Sequence, residues 1–165
     1  QALPDTLNAR RAKQPPRRRN SAAPTAPASY GDRMSARRTV VLTESSFESV
    51  VGYSRAVRVG AHVAVAGTTG TGPPGDIGAQ TRDALRRIEI ALQQAGAALT
   101  DVVRTRIYVT DISRWREVGA VHEQVFGAIR PAATMVEVSA LIAPELLVEI
   151  EADAYVDSPD GPDGP

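Results

Sequence analysis

Glu149, Glu151 and Asp153 occupy every second position of VEIEADAY. On an extended strand they share one face, each roughly 6.6 Å from the next at about 3.3 Å per residue. Three carboxylates in a row repel one another unless cations or water separate them. The plain reading is the solvated face of a one-sided antiparallel sheet. A metal site is the weaker one, because carboxylates on one strand do not converge on an ion and the two histidines add no helpful spacing. A second run, DVVRTRIYVT at 101–110, puts Arg104, Arg106, Tyr108 and Thr110 on one face and Val103, Ile107 and Val109 on the other. If the two polar faces adjoin, Arg104 and Arg106 pair with Glu149 and Glu151. Exposed pairs of that kind contribute only about 0.2–1 kcal/mol; under a subunit interface they serve specificity more than stability.

Other chemistry-bearing residues are less suggestive. His62 starts a strand beside a turn and reads as a surface residue. His122 falls near the inner stripe of a helix, where a half-buried, hydrogen-bonded imidazole is the simpler reading than a catalytic one. No Ser-His-Asp arrangement is readable. GTTGTGPPG is rich in glycine but lacks the Lys-Ser/Thr of a P-loop and the dinucleotide-binding pattern.

The elements that must hold these residues follow from periodicity. TVVL at 39–42 reads as a strand, and 55–59 with 62–66 alternate around Gly60-Ala61 as a hairpin. A helix is expected from Ile77 to Ala95, capped by Asp76 and stopped by Gly96, with Thr81, Leu85, Ile88, Leu92 and Ala95 on its buried stripe. A second helix is expected from Ser113 to Gly127 with Trp115, Val118, Val125 and Phe126 inward. Strands at 101–110, 132–138 and 145–156 complete the order β-β-β-α-β-α-β-β. The last strand's apolar face is Leu146, Val148, Ile150, Ala152 and Ala154. The expected class is α+β, a mixed sheet with two helices packed on one face.

Composition sets the outer limits. The chain has 165 residues, 42% hydrophobic, enough for one domain with a real core. No run approaches 18 apolar residues, so no membrane span is expected. With no cysteine there is no disulfide, thiolate catalysis or cysteine-held zinc, which fits a reducing, cytoplasmic setting. The net charge of zero hides an asymmetry: residues 1–38 hold nine basic groups against two acidic, a balance of +7, and the rest carries −7. Residues 1–38 read as a disordered basic extension and 157–165 as a disordered tail, flanking a domain at 39–156. The extension has three readings: an arm for phosphate or membrane surfaces, a plain solvated tail, or sequence upstream of a native start at Met34. A secretion signal is not indicated, since no apolar stretch follows the arginines.

From Phe47 to Val156 the chain resembles the Rid family, the YjgF-like reactive intermediate deaminases. The likeness rests on GYSRAV (52–57), VAVAGT (63–68), AQTRDALRRIEIALQQAGA (79–97), DVVRTRIYVTD (101–111), HEQVF (122–126), RPAATMVEV (130–138) and VEIEADAYV, in order and with matching gaps. It implies the chorismate-mutase-like α+β fold and a homotrimer with small-molecule clefts between subunits. It implies no cofactor, and hydrolysis of an imine or enamine C=N bond. Tyr53 matches the family's cleft tyrosine, Gly67 a backbone position lining the site, and Glu149 the glutamate that positions water or relays a proton. Backbone donors near Gly67 and Thr68 would hold the reacting oxygen. One departure stands out: active members carry an arginine two residues after the proline of RPAATMVEV, and this chain has Ala133. That arginine anchors the substrate carboxylate by a two-pronged charged hydrogen bond. Losing it costs about 2–5 kcal/mol for an anionic ligand, roughly thirty- to several-thousand-fold. Either Arg106 or Arg130 returns a guanidinium from another direction, or the pocket takes a less anionic ligand. Beside the deaminase-type hydrolase stand a non-catalytic metabolite- or partner-binding trimer and an RNA-acting protein; the acidic domain argues against RNA.

Overall fold

Alternation at period two in RAVRV and HVAVA needs a turn that accepts a left-handed residue, and Gly60 supplies it at φ 62°. In the computed structural model, which describes residues 38–43 and 45–156, this hairpin is β2 (Ala56–Val59) and β3 (His62–Thr69). β1 (Arg38–Val41) pairs antiparallel with β2. A short helix, α1 (Ser46–Val51), lies between β1 and β2. Then follow α2 (Ile77–Gln94), β4 (Val102–Val109), α3 (Trp115–Phe126), β5 (Ala132–Glu137) and β6 (Val148–Tyr155). The six-stranded sheet is ordered β1-β2-β3-β6-β4-β5, antiparallel except for the parallel β4–β5 pair. A mixed sheet with α2 and α3 on one face is the α+β class expected from the pattern.

Local chemistry explains the main helix. Asp76 Oδ1 accepts the Ala79 N–H at 2.8 Å, and Gly96 at φ 73° ends the run. Its stripe of Ile77, Thr81, Ala84, Leu85, Ile88, Ala91 and Leu92 is buried, against the buried strand residues Val63, Val65, Ile107, Val148, Ile150, Ala152 and Ala154. Each such Val, Leu or Ile contributes about 1.5–3 kcal/mol by leaving water.

Five sequence expectations need correction. The last strand starts at Val148, not Glu145, because the buried Gln80 side chain takes the backbone there: Nε2 donates to Glu145 O at 2.9 Å and Oε1 accepts Leu147 N–H at 2.8 Å. Val103 is not on the apolar face; a bulge between Val102 and Arg104 leaves it 51% exposed and buries Val102 instead. Trp115 is not inward; it is 46% exposed under the Arg116 guanidinium, and Val121 fills the inner stripe. The first turn of the second helix is a 3₁₀ turn at Ile112–Arg114, held by Asp111 accepting from Ser113. α1 was not anticipated at all, although Ser45 three residues before Glu48 and Gly52 after the run are helix-end signals. Glu48 is buried and reaches back to Thr43 instead, accepting its N–H at 2.8 Å and its hydroxyl at 2.7 Å. The basic extension and the tail lie outside the described residues, except that Arg38 begins β1.

Candidate functional site

An irregularity in β3 makes the site. Val65 pairs with Ala152 and Thr68 with Ile150, so Ala66 and Gly67 together face the single residue Glu151. This β-bulge turns the Gly67 carbonyl out of the ladder. Arg55, just before β2, takes it: Nη1 donates to Gly67 O and to Thr68 Oγ1, both at 2.9 Å. Nη2 donates to the Tyr53 hydroxyl at 3.0 Å, and the guanidinium carbon lies 5.5 Å from the Tyr53 ring centroid. Thr68 is buried and donates its own hydroxyl hydrogen to Ala66 O at 2.8 Å, so that donor is committed to holding the bulge.

Glu149 comes from β6, aligned with Thr69 on one side and Tyr108 on the other. Its carboxylate lies over Gly67; a Cβ there would collide with Oε1 and stand 3.0 Å from Cδ. Glycine at 67 is therefore the space the carboxylate occupies. Burial pushes the Glu149 pKa above the usual carboxylate range, the Glu151 charge adds to this, and Arg55 opposes it. Neither oxygen has a hydrogen-bond or ion-pair partner among the described residues. Both are open to solvent, since no fully buried polar side-chain atom there is unpartnered.

These groups line an open cleft of about 960 Å³. Phe47 and Val51 of α1, Ile90 of α2 and Ile142 give it an apolar wall, while Glu145, Glu149, Glu151, Arg55 and Arg87 supply charge. Arg87 is committed to Asp83, Nε to Oδ2 at 2.8 Å. Burial works against ionisation of Asp83, but the Thr71 N–H, Arg86 and Arg87 together hold it at about 2.

The structure thus gathers four sequence candidates, Tyr53, Gly67, Thr68 and Glu149, and leaves two elsewhere. Arg106 is tied to Glu151 at 3.2 Å and Asp153 at 3.1 Å rather than to Glu149, and does not line the cleft. Ala133 aligns with Thr105, and Thr105 with Ala152, so it is on the opposite sheet face from Glu149, Tyr108 and Val136. Arg130 is exposed at φ 56° at the entry to β5. His122 is half-buried against Thr105, Nε2 to Oγ1 at 3.0 Å, and burial lowers its pKa. Sequence reasoning missed Arg55 and Gln80. Nothing in RAVRV separates Arg55 from the chain's other arginines until the bulge brings Gly67 and Thr68 beneath it.

The profile of the Endoribonuclease L-PSP family matches residues 43–156. The chain belongs to the YjgF/RutC family. A RutC family protein of Pyrococcus abyssi is 37% identical over 122 residues, covering 70% of this chain and 95% of its own. The 2-iminobutanoate/2-iminopropanoate deaminase of Escherichia coli is 30% identical over 122 residues, 69% of this chain and 94% of its own. The crystal structure of a YjgF/YER057c/UK114 family member from Mycobacterium tuberculosis is 77% identical with TM-score 0.70, covering 72% of this chain and 99% of that one. Among the described residues no helix is long and apolar enough to cross a membrane.

Proposed function

We propose that this YjgF/RutC family member hydrolyses the C=N bond of a small imine or its enamine tautomer in the Glu149 cleft, working as a homotrimer in the cytoplasm. The observation that carries the reading is Glu149: a half-buried carboxylate with raised pKa, without a partner among the described residues and accessible from a cleft of metabolite size. A carboxylate whose pKa is raised above its ordinary value is a stronger general base than a free one, which is the direction the role requires. Glu149 takes a proton from water as the oxygen bonds to the carbon of the protonated imine, and the C=N π electrons become the nitrogen lone pair. The protonated Glu149 then gives its proton to that nitrogen; as the C–N bond breaks its carboxylate takes the hydroxyl proton, a carbonyl forms, and ammonia leaves and carries that proton off as ammonium. Tyr53, oriented by Arg55, closes one side of the cleft.

Three features support assembly. The sheet face away from α2 and α3 exposes Val103 (51%), Val136 (41%) and Tyr155 (56%), an apolar surface that association would cover. Arg106, Glu151 and Asp153 share that face as an ion-pair cluster that such an interface would cover. Ala133, a cleft position by the Rid resemblance, faces away from its own chain's Glu149, which fits a cleft shared between copies. The count of three follows the Rid resemblance. RNA cleavage is not favoured, because Glu145, Glu149 and Glu151 outnumber the arginines of the cleft and Arg87 is already neutralised. The test is to generate 2-iminobutanoate in place and follow 2-oxobutanoate, with sedimentation giving the subunit count. A rate equal to buffer removes the hydrolase reading, and a monomer removes the trimer.

A further inference from the structure

Resting on that hydrolase reading, we infer that Arg55 is the cleft's anchor for a ligand carboxylate, the specificity-determining cation of a site whose β5 carries Ala133. Of the two arginines lining the cleft, Arg87 is paired with Asp83, whereas Arg55 has no carboxylate within ion-pair distance among the described residues. Three of its five N–H donors go to neutral oxygens: Gly67 O, Thr68 Oγ1 and the Tyr53 hydroxyl. These hold the guanidinium plane without cancelling its charge. Nε, which shares an edge of the fork with Nη2, has no hydrogen-bond partner among the described residues, and Nη2 makes one bond of the two it can donate. No fully buried polar side-chain atom among the described residues is left unpartnered, so Nε is not sealed from solvent. A guanidinium held in place on a cleft wall, with its charge unpaired and donors to spare, is what a planar carboxylate binds.

The geometry also brings recognition and chemistry together at one residue. Arg55 holds the Gly67 carbonyl, and the Glu149 carboxylate lies over the same Gly67. Two groups that meet at one residue suit a ligand whose carboxylate is close to its reacting carbon.

The test titrates the full chain with 2-oxobutanoate, the product acid, and with its uncharged amide 2-oxobutanamide, by calorimetry. The acid is expected to bind wild type more tightly than the amide. Arg55→Met is expected to lose about thirtyfold or more for the acid beyond whatever it loses for the amide; Arg55→Lys, charged but without the fork, should fall between. Equal loss for both ligands in Arg55→Met assigns Arg55 a purely structural hold on the bulge and overturns the inference. So does a wild type that does not prefer the acid, or that binds neither probe at millimolar concentration; these two need no variant to fold. Turnover of 2-iminobutanoate with unchanged KM in Arg55→Met overturns the anchor while the hydrolase reading stands. Acid-selective binding without turnover does the reverse.

Discussion

Replacing Gly67 with alanine separates the two things that residue does, making room and keeping the chain folded. The added Cβ would overlap Glu149 Oε1 and stand 3.0 Å from Cδ. Carbon contacts settle near 3.5–4.0 Å, so the carboxyl group must withdraw by about 0.5–1 Å at Cδ and further at its oxygen. The backbone need not move, because the obstructing atoms are the far end of a flexible side chain. Forcing Glu149 off its rotamer costs about 0.5–1.5 kcal/mol. Gly→Ala at a position without positive φ returns about 0.4–1 kcal/mol through the unfolded chain. Stability should therefore stay within about 1 kcal/mol of wild type. A general base displaced by about an ångström loses on the order of 100-fold in rate, near 2.7 kcal/mol of barrier. The assay pairs denaturant unfolding with initial rates of 2-oxobutanoate release from 2-iminobutanoate. A variant that keeps the full rate at unchanged stability refutes the assignment of Glu149 as the base. A loss of more than about 3 kcal/mol of stability shows that Gly67 serves the fold rather than the carboxylate.

Further outcomes follow from the same geometry. Glu149 binds its proton more tightly folded than unfolded, so its contribution to stability is present below the unfolded carboxylate value near 4.5 and is lost as pH rises through the higher folded value. Glu149→Gln should therefore raise stability at neutral pH and remove that loss, while abolishing turnover; unchanged unfolding curves between pH 4 and 8 would contradict the buried, unpaired carboxylate. Arg106→Ala should leave the hydrolysis rate of 2-iminobutanoate within about twofold, since Arg106 is outside the cleft and its partly exposed pairs carry only about 0.2–1 kcal/mol each; a hundredfold drop in rate would restore it as a site residue. Burial lowers the His122 pKa, so wild type should lose stability as pH falls below about 6.5 toward the folded value. His122→Gln should flatten that limb in thermal melts followed from pH 7.5 to 5, and a slope identical to wild type would assign the limb to other groups.

The family and most of the architecture were legible in the chain because they depend on local signals. The alternation of β6, the Asp76 and Gly96 ends of α2 and the Gly60 turn are each written in a few neighbouring residues, and short-range sterics and hydrogen bonding act on those directly. Glu149, Tyr53 and Gly67 were likewise readable from motifs in order. α1 was obscured because six residues rich in serine and β-branched types carry no periodicity. The start of β6 was obscured because Gln80, 65 residues upstream of Glu145, captures its backbone.

What the sequence alone determined, then, is a one-sided α+β sheet with a carboxylate at 149 and no arginine at 133. Only the tertiary structure decided which charges face one another. It paired Arg106 with Glu151 and Asp153, and it turned Ala133 to the other side of the sheet from Glu149. It also set Arg55 on the bulge beneath Tyr53. The physical reason is that strand parity follows from sequence one residue at a time. Bulges at 66–67 and at 103, and the parallel crossover to β5, change which residues are neighbours across strands.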